Sequence, residues 1–278
     1  MRYPDGLCKA VTLSYDDGAP ADVQLCDTLN RYGIKCTFNL VASRVESENG
    51  LTKEYIRSEI LGKGHELATH GENHRGLDAA RSIEGIQDVL NCRLYFEKEF
   101  GGIIRGMAFP DRTVNKKLFP MAYERIKSFL QELDIAYART TGGDNDSFEL
   151  PDDFHNWVPT AHHVNPKLMD YIDKFLNMNV NGLYISQRTP RLFYLWGHAF
   201  EFENNKNWDL LEAICEKLSG KDDIYYATNI ELYDYITAYR SLIYSADGRT
   251  IYNPTLKKLW FDRDGVLCTI ESGETKRF

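Results

Sequence analysis

The sequence predicts an α/β fold with parallel strands, a (β/α) barrel rather than an open doubly wound sheet. Short apolar runs alternate with longer helical patterns along most of the chain, the mark of parallel strands joined by helical crossovers. The acidic and imidazole side chains best suited to chemistry each fall just after a predicted strand, and in a barrel those strand ends converge on one face. From about residue 242 the pattern changes to short strands separated by turn dipeptides, so a small β-rich appendage is expected there.

Strands are predicted at 10–15, 36–40, 65–69, 106–109, 135–138, 192–196 and 224–227, each a short apolar run bounded by polar or turn residues. Helices are predicted near 20–32, 52–62, 83–100, 116–133, 166–177, 207–218 and 229–242. Pro20 near the start of the first helix and Gly33 just after it are start and stop marks. The tail carries Ala246-Asp247-Gly248, Asn253-Pro254, Asp264-Gly265 and Ser272-Gly273, all hairpin or turn signals. The expected division is therefore a barrel over 1–240 and an appendage over 241–278 packed on it, capping the barrel rather than binding carbohydrate or a partner.

At 278 residues, 43% of them hydrophobic, the chain can bury one full barrel core without a second domain. A net charge of −8 argues against nucleic-acid binding, which relies on Lys and Arg neutralising phosphates. No apolar run approaches the ~20 residues that span a bilayer, so no membrane partner is expected. Residues 1–20 read as a strand and a chemical motif rather than a secretory leader, and a cytoplasmic location is expected. The six cysteines are scattered singly with no CxxC pair, which fits reduced thiols better than a disulfide frame or a zinc knuckle.

Two segments carry the chemistry. Ser14-Tyr15-Asp16-Asp17-Gly18 ends a strand in adjacent carboxylates, whose mutual repulsion calls for a cation or a shared proton unless Asp17 only caps the next helix. Some fifty residues on, His70-Gly71-Glu72-Asn73-His74 places two imidazoles four residues apart, a spacing seen in metal clamps and also on solvated faces. One Asp and two His would leave a divalent cation an open position for water, with the other Asp free to act as base. His65 reads as a hydrogen-bonded structural histidine.

Together these segments resemble the polysaccharide deacetylases, carbohydrate esterase family four, which share the homology domain of nodulation-type chitooligosaccharide deacetylases. The order of motifs extends the resemblance over roughly residues 8–230. The family's first motif, Thr-Phe-Asp-Asp-Gly, reads Ser14-Tyr15-Asp16-Asp17-Gly18 here. Its second, His-Ser/Thr-x-x-His after Gly-His-Glu, reads His70 to His74 after Gly64-His65-Glu66, with Gly71 where Ser or Thr is usual. The Arg-x-Pro-Tyr motif is matched loosely by Arg105 and Pro110, with Asp111 in the place of Tyr. An Asp and Trp motif corresponds to the run 152–157, with His162 and His163 following. Leu-x-His is matched with one extra residue by Leu195-Trp196-Gly197-His198.

The resemblance implies a distorted (β/α)7-type barrel and a metal-dependent hydrolase that removes N- or O-linked acetyl groups from an acetylated saccharide. It implies Asp17, His70 and His74 as ligands of a divalent cation, zinc first, with Asp16 as general base and His198 as general acid. Arg105 would orient Asp16, and the Asp111 amide would help hold an oxyanion. Tyr15, Pro110, Asp111, Trp157, His162 and Trp196 would face the substrate, while Glu201 and Glu203 read as solvated charges. Two other functions stay open on the same fold. One is cytoplasmic hydrolysis of a small cyclic imide or ureide, the other carbohydrate binding without catalysis.

Overall fold

The first strand, β1 (Lys9–Asp17), is buried along its whole length, and its side chains alternate between two environments. Val11, Leu13 and Tyr15 point outward into the main apolar core beneath the helices. Thr12 and Ser14 point into the barrel, where they meet Asn229 and Asn39. The computed structural model describes all residues except 112, 113, 143 and 181.

Around β1 lie β2 (Cys36–Leu40), β3 (Glu66–Thr69), β4 (Gly106–Ala108), β5 (Tyr137–Arg139), β6 (Ala161–His162), β7 (Arg191–Gly197) and β8 (Ile224–Tyr226). They form one parallel sheet in the order β5-β4-β3-β2-β1-β7-β6, with β8 beside the start of β1. A parallel bridge between Arg139 and Trp157, just upstream of β6, joins the sheet's two ends and curls it into a distorted barrel. The helices are α1 (Asp22–Tyr32), α2 (Lys53–Tyr55), α3 (Ser82–Phe100), α4 (Pro120–Glu132), α5 (Leu168–Leu176), α6 (Ala199–Asn205), α7 (Trp208–Leu218) and α8 (Asn229–Arg240).

Seven predicted strands and six predicted helices reappear near their expected limits. The region expected as one helix at 52–62 is instead α2 continued by a π turn (Ile56–Ile60) and a 3-10 turn (Leu61–Lys63). The wide turn, with the Leu61 amide reaching the Ile56 carbonyl, seats both Ile56 and Ile60 in the core. β6 and α6 have no counterpart in the sequence reading. β6 is only two residues long, and α6 is preceded by His198 rather than by a common N-cap residue.

Inside the barrel, buried Glu66 accepts hydrogen bonds from Thr37 Oγ1 (2.8 Å), the Tyr137 hydroxyl (2.7 Å) and the Ile230 amide at the start of α8 (2.9 Å). Burial nevertheless pushes its carboxyl up to about 7. Beyond α8 come a three-stranded antiparallel sheet of β9 (Ile243–Tyr244), β10 (Thr250–Tyr252) and β13 (Thr275–Arg277), and the hairpin β11 (Leu259–Arg263)/β12 (Val266–Ile270). Leu259, Phe261 and Ile270 pack with Tyr3, Tyr235 and Ile236 in a second apolar cluster. Asp262 pairs with Arg2 (3.4 Å) and Arg188 (3.0 Å), residues that precede β1 and β7, so this tail covers the barrel end opposite Asp17.

Candidate active site

β1 ends in Asp16 and Asp17, and parallel neighbours deliver the partners to the same end. The backbone turns left-handed at Asp17 (φ 88°), which sends adjacent carboxylates to different work. Asp17 Oδ1 lies 3.4 Å from His74 Nε2 and 3.8 Å from His70 Nε2, and Oδ2 pairs with Arg44 at 3.2 Å. His70 holds its ring by an Nδ1 hydrogen bond to the Ala108 carbonyl (2.9 Å), which leaves Nε2 facing the carboxylates. Burial lowers His70 to about 4 against the pull of Asp16 and Asp17, so the ring is neutral, the form that ligates.

These three residues suit a divalent cation. Their donor atoms cluster together, and Asp17 Oδ1 is buried without a hydrogen-bond partner, an uncompensated acceptor that a cation would satisfy. For tetrahedral ligands at 2.0–2.2 Å, adjacent donors sit roughly 3.3–3.6 Å apart, which the 3.4 and 3.8 Å separations approach.

The loop bearing the imidazoles is braced from α3. Asp88 Oδ1 accepts from the Asn73 amide (2.9 Å), and the Asp88 carbonyl accepts from the Glu72 amide (2.9 Å). Gly71 has φ 82°, and a Cβ there would overlap Asp88 Oδ2. Glycine at this position is thus the space that Asp88 occupies, and the bracing comes from another element instead of from a hydroxyl inside the motif.

Asp16 points inward and is fully enclosed. Oδ1 accepts from Asn39 Nδ2 (2.9 Å), and Oδ2 accepts from Arg139 Nη2. His198 Nε2 and His70 Nε2 lie 3.9 and 4.0 Å from the same Oδ2. Burial pushes the Asp16 carboxyl up, but the Arg139 guanidinium, followed by His70 and His198, outweighs it and holds the group below the usual carboxylate range. Arg139, at the end of β5, also stacks on Trp196 at 4.2 Å.

Arg139 takes the position expected of Arg105. Arg105 precedes β4, at the far end of the barrel, where it pairs with Asp234 (2.9 Å) and lies over Tyr233. A three-residue strand separates it from the site face. An arginine closing an apolar strand, as Asp16 does, was the available signal for Arg139.

His198 caps α6, and Glu201 in the first turn serves it twice. Glu201 Oε2 accepts from the His198 amide (3.1 Å) and faces Nδ1 at 3.3 Å. Burial would lower His198, yet Glu201, Asp16 and Asp17 together raise it, favouring the imidazolium. Glu201 is itself held well below the carboxylate range by His162 and His198 despite its burial. It is a hub of the site, not the solvated charge expected; the helix that turns it inward was the missing information.

The expected substrate contacts divide. Tyr15 is fully buried on the outer side of β1, stacked on His163 and Phe202, and Trp157 is sealed in the core between Tyr137, Phe154 and Tyr194. Neither can touch a ligand. Pro110 is buried and Asp111 is exposed on a left-handed turn (φ 58°) after β4. His162 and Trp196 are part-exposed beside His198, edge to face at 4.4 Å.

Residues 4–127 match the family model described as polysaccharide deacetylase. The peptidoglycan-N-acetylglucosamine deacetylase PgdA of Listeria monocytogenes is 28% identical over 112 residues, 40% of this chain and 23% of that protein. The peptidoglycan-N-acetylglucosamine deacetylase of Bacillus cereus is 27% identical over 92 residues, 32% of this chain and 41% of that one. The matches thus span well under half of either relative. Among solved structures, a putative polysaccharide deacetylase from Mycobacterium smegmatis superposes with a TM-score of 0.55 at 17% identity, covering 86% of this chain and 94% of that one. A family 4 acetyl xylan esterase from Clostridium thermocellum, in complex with a cobalt ion, gives 0.50 at 19% identity over 81% and 91%. At these identities the likeness is one of fold.

Proposed function

We propose, for a chain whose residues 4–127 match the polysaccharide deacetylase family model, that it hydrolyses acetyl groups from an acetylated saccharide in a metal-dependent reaction. The observation that carries this reading is the convergence of Asp17, His70 and His74 beside an inward Asp16 and a carboxylate-supported His198. Asp17, His70 and His74 would hold the cation, with zinc as our choice from the imidazole and carboxylate donors. When bound, a divalent cation supplies Lewis-acid polarisation of the acetyl carbonyl and acidifies water.

The remaining steps belong to the side chains. Asp16, kept ionised by Arg139, takes a proton from the water whose oxygen bonds to the acetyl carbon. The Asp111 amide is a candidate donor to the oxyanion. As the C–N or C–O bond breaks, its electron pair leaves with the sugar nitrogen or oxygen, which receives the proton of His198 Nε2. Acetate and the free sugar group are the products. Glu201 stabilises the imidazolium beforehand and orients its ring. His162 and Trp196 form the wall beside which the sugar would lie.

The test is acetate release from N-acetylated chitooligosaccharides, peptidoglycan fragments and acetylated xylan by metal-loaded protein. Asp16→Asn should retain the metal and lose at least about 10²-fold in rate. Release by wild type with no loss in the variant would remove Asp16 from the mechanism, and no release from any acetylated sugar would overturn the reading. A cytoplasmic location belongs to the same proposal, supported by six cysteines that form no disulfide. Among the described residues no helix is long and apolar enough to cross a membrane.

A further inference from the structure

Beside the site lies a second group of donors. His162 and His163, at the end of β6, both face Glu201, with His162 Nε2 at 3.2 Å and His163 Nε2 at 3.3 Å from the same Oε2. All three donor atoms lie within 4.8 Å of one another. Tetrahedral donors around a zinc-sized ion sit roughly 3.3 Å apart, the separation that each imidazole Nε2 keeps from Oε2.

His163 supplies the independent observation. Its side chain is wholly buried, yet neither ring nitrogen makes a hydrogen bond, although Nε2 lies 3.3 Å from Glu201 Oε2. The ring is fixed in that attitude by stacking on Phe202 at 4.1 Å and by Gly197, where a Cβ would overlap Nδ1. A buried imidazole with both nitrogens idle is costly unless something else engages it. One contact opposes ligation: His162 Nδ1 accepts from the Val164 amide at 3.2 Å, and metallation of Nε2 moves the ring proton to Nδ1 and forfeits that bond.

We propose that His162, His163 and Glu201 form a second divalent-cation site, an N2O donor set suited to zinc or cobalt, whose filling withdraws Glu201 from His198. The Oε2 that would ligate is the one that accepts from the His198 amide and faces its Nδ1. Excess metal therefore inhibits the enzyme, a consequence that rests on the deacetylase reading, whereas the site itself does not.

The test is equilibrium dialysis of the metal-stripped full chain against Zn²⁺ or Co²⁺ alone, with elemental analysis and, for cobalt, the visible spectrum of tetrahedral coordination. Wild type should bind a pair of ions. His74→Ala, His162→Ala and His163→Phe should each bind one, the last keeping the stacked ring and hence the fold by near-ultraviolet circular dichroism. Turnover of wild type should fall as the weaker site fills, and His163→Phe should lose that inhibitory phase relative to its own maximum. A single ion lost in His74→Ala and kept in His162→Ala and His163→Phe overturns the second site while leaving the primary centre and the deacetylase reading intact. Binding of both ions without inhibition overturns the link to His198.

Discussion

Replacing Arg139 with Met tests the electrostatic core of the site. Arg139 has no exposed side-chain surface and Asp16 almost none, so the pair sits where water cannot screen it. Removing one partner of a buried ion pair leaves an uncompensated charge, which typically costs about 3–5 kcal/mol. For a chain of this size that lowers the melting temperature on the order of 10 °C. Asn39 still donates to Oδ1, and His70 and His198 remain near Oδ2, so part of the stabilisation survives.

The sign for activity follows from the same balance. Arg139 is the largest influence holding the Asp16 carboxyl down against burial, so the variant's carboxyl rises toward protonation. A protonated Asp16 cannot accept the proton of water. The acid limb of the kcat/KM profile should therefore move toward neutral pH, with a loss of up to about 10²–10⁴ below it that is recovered on the alkaline side. Arg139→Lys keeps a charge but loses the planar stack on Trp196 and should shift the limb less. An unmoved acid limb together with an unchanged melting temperature in Arg139→Met would refute the coupling.

Other consequences are open to direct measurement. Gly71→Ala sets a Cβ against Asp88 and a left-handed backbone that costs about 1–2 kcal/mol, so zinc affinity by calorimetry should fall, and an unchanged affinity would dismiss the bracing argument. Glu201→Gln removes the foremost group raising His198, so the alkaline limb of the rate profile should move to lower pH; a stationary limb would detach Glu201 from the acid. Glu66, pushed up from 4.5 to about 7 by burial, holds a proton in the native state that the unfolded chain has released. Its contribution is therefore lost as pH rises through that window, and Glu66→Gln should gain about 3 kcal/mol on wild type between those limits in urea melts. A pH-independent difference would contradict it.

Much of this was legible from local pattern because its causes are local. β2 lies where its apolar run stands, and alternation along β1 places Asp16 inward once Ser14 is inward. The same period of two sends Tyr15 outward, so its exclusion from the ligand face was written in the sequence too. Arg139 was not legible as the partner of Asp16, since 123 residues separate them and only closure of the sheet brings β5 to the end of β1. Trp157, which the motif order sets facing a sugar, is drawn into the core by its bridge to Arg139. The sequence by itself determined the alternation of strand and helix and the residue types able to hold a cation. The tertiary structure decided which carboxylate faces which imidazole and which cation holds Asp16 ionised, because charge coupling depends on separation and burial in space, and neither is carried by spacing along the chain.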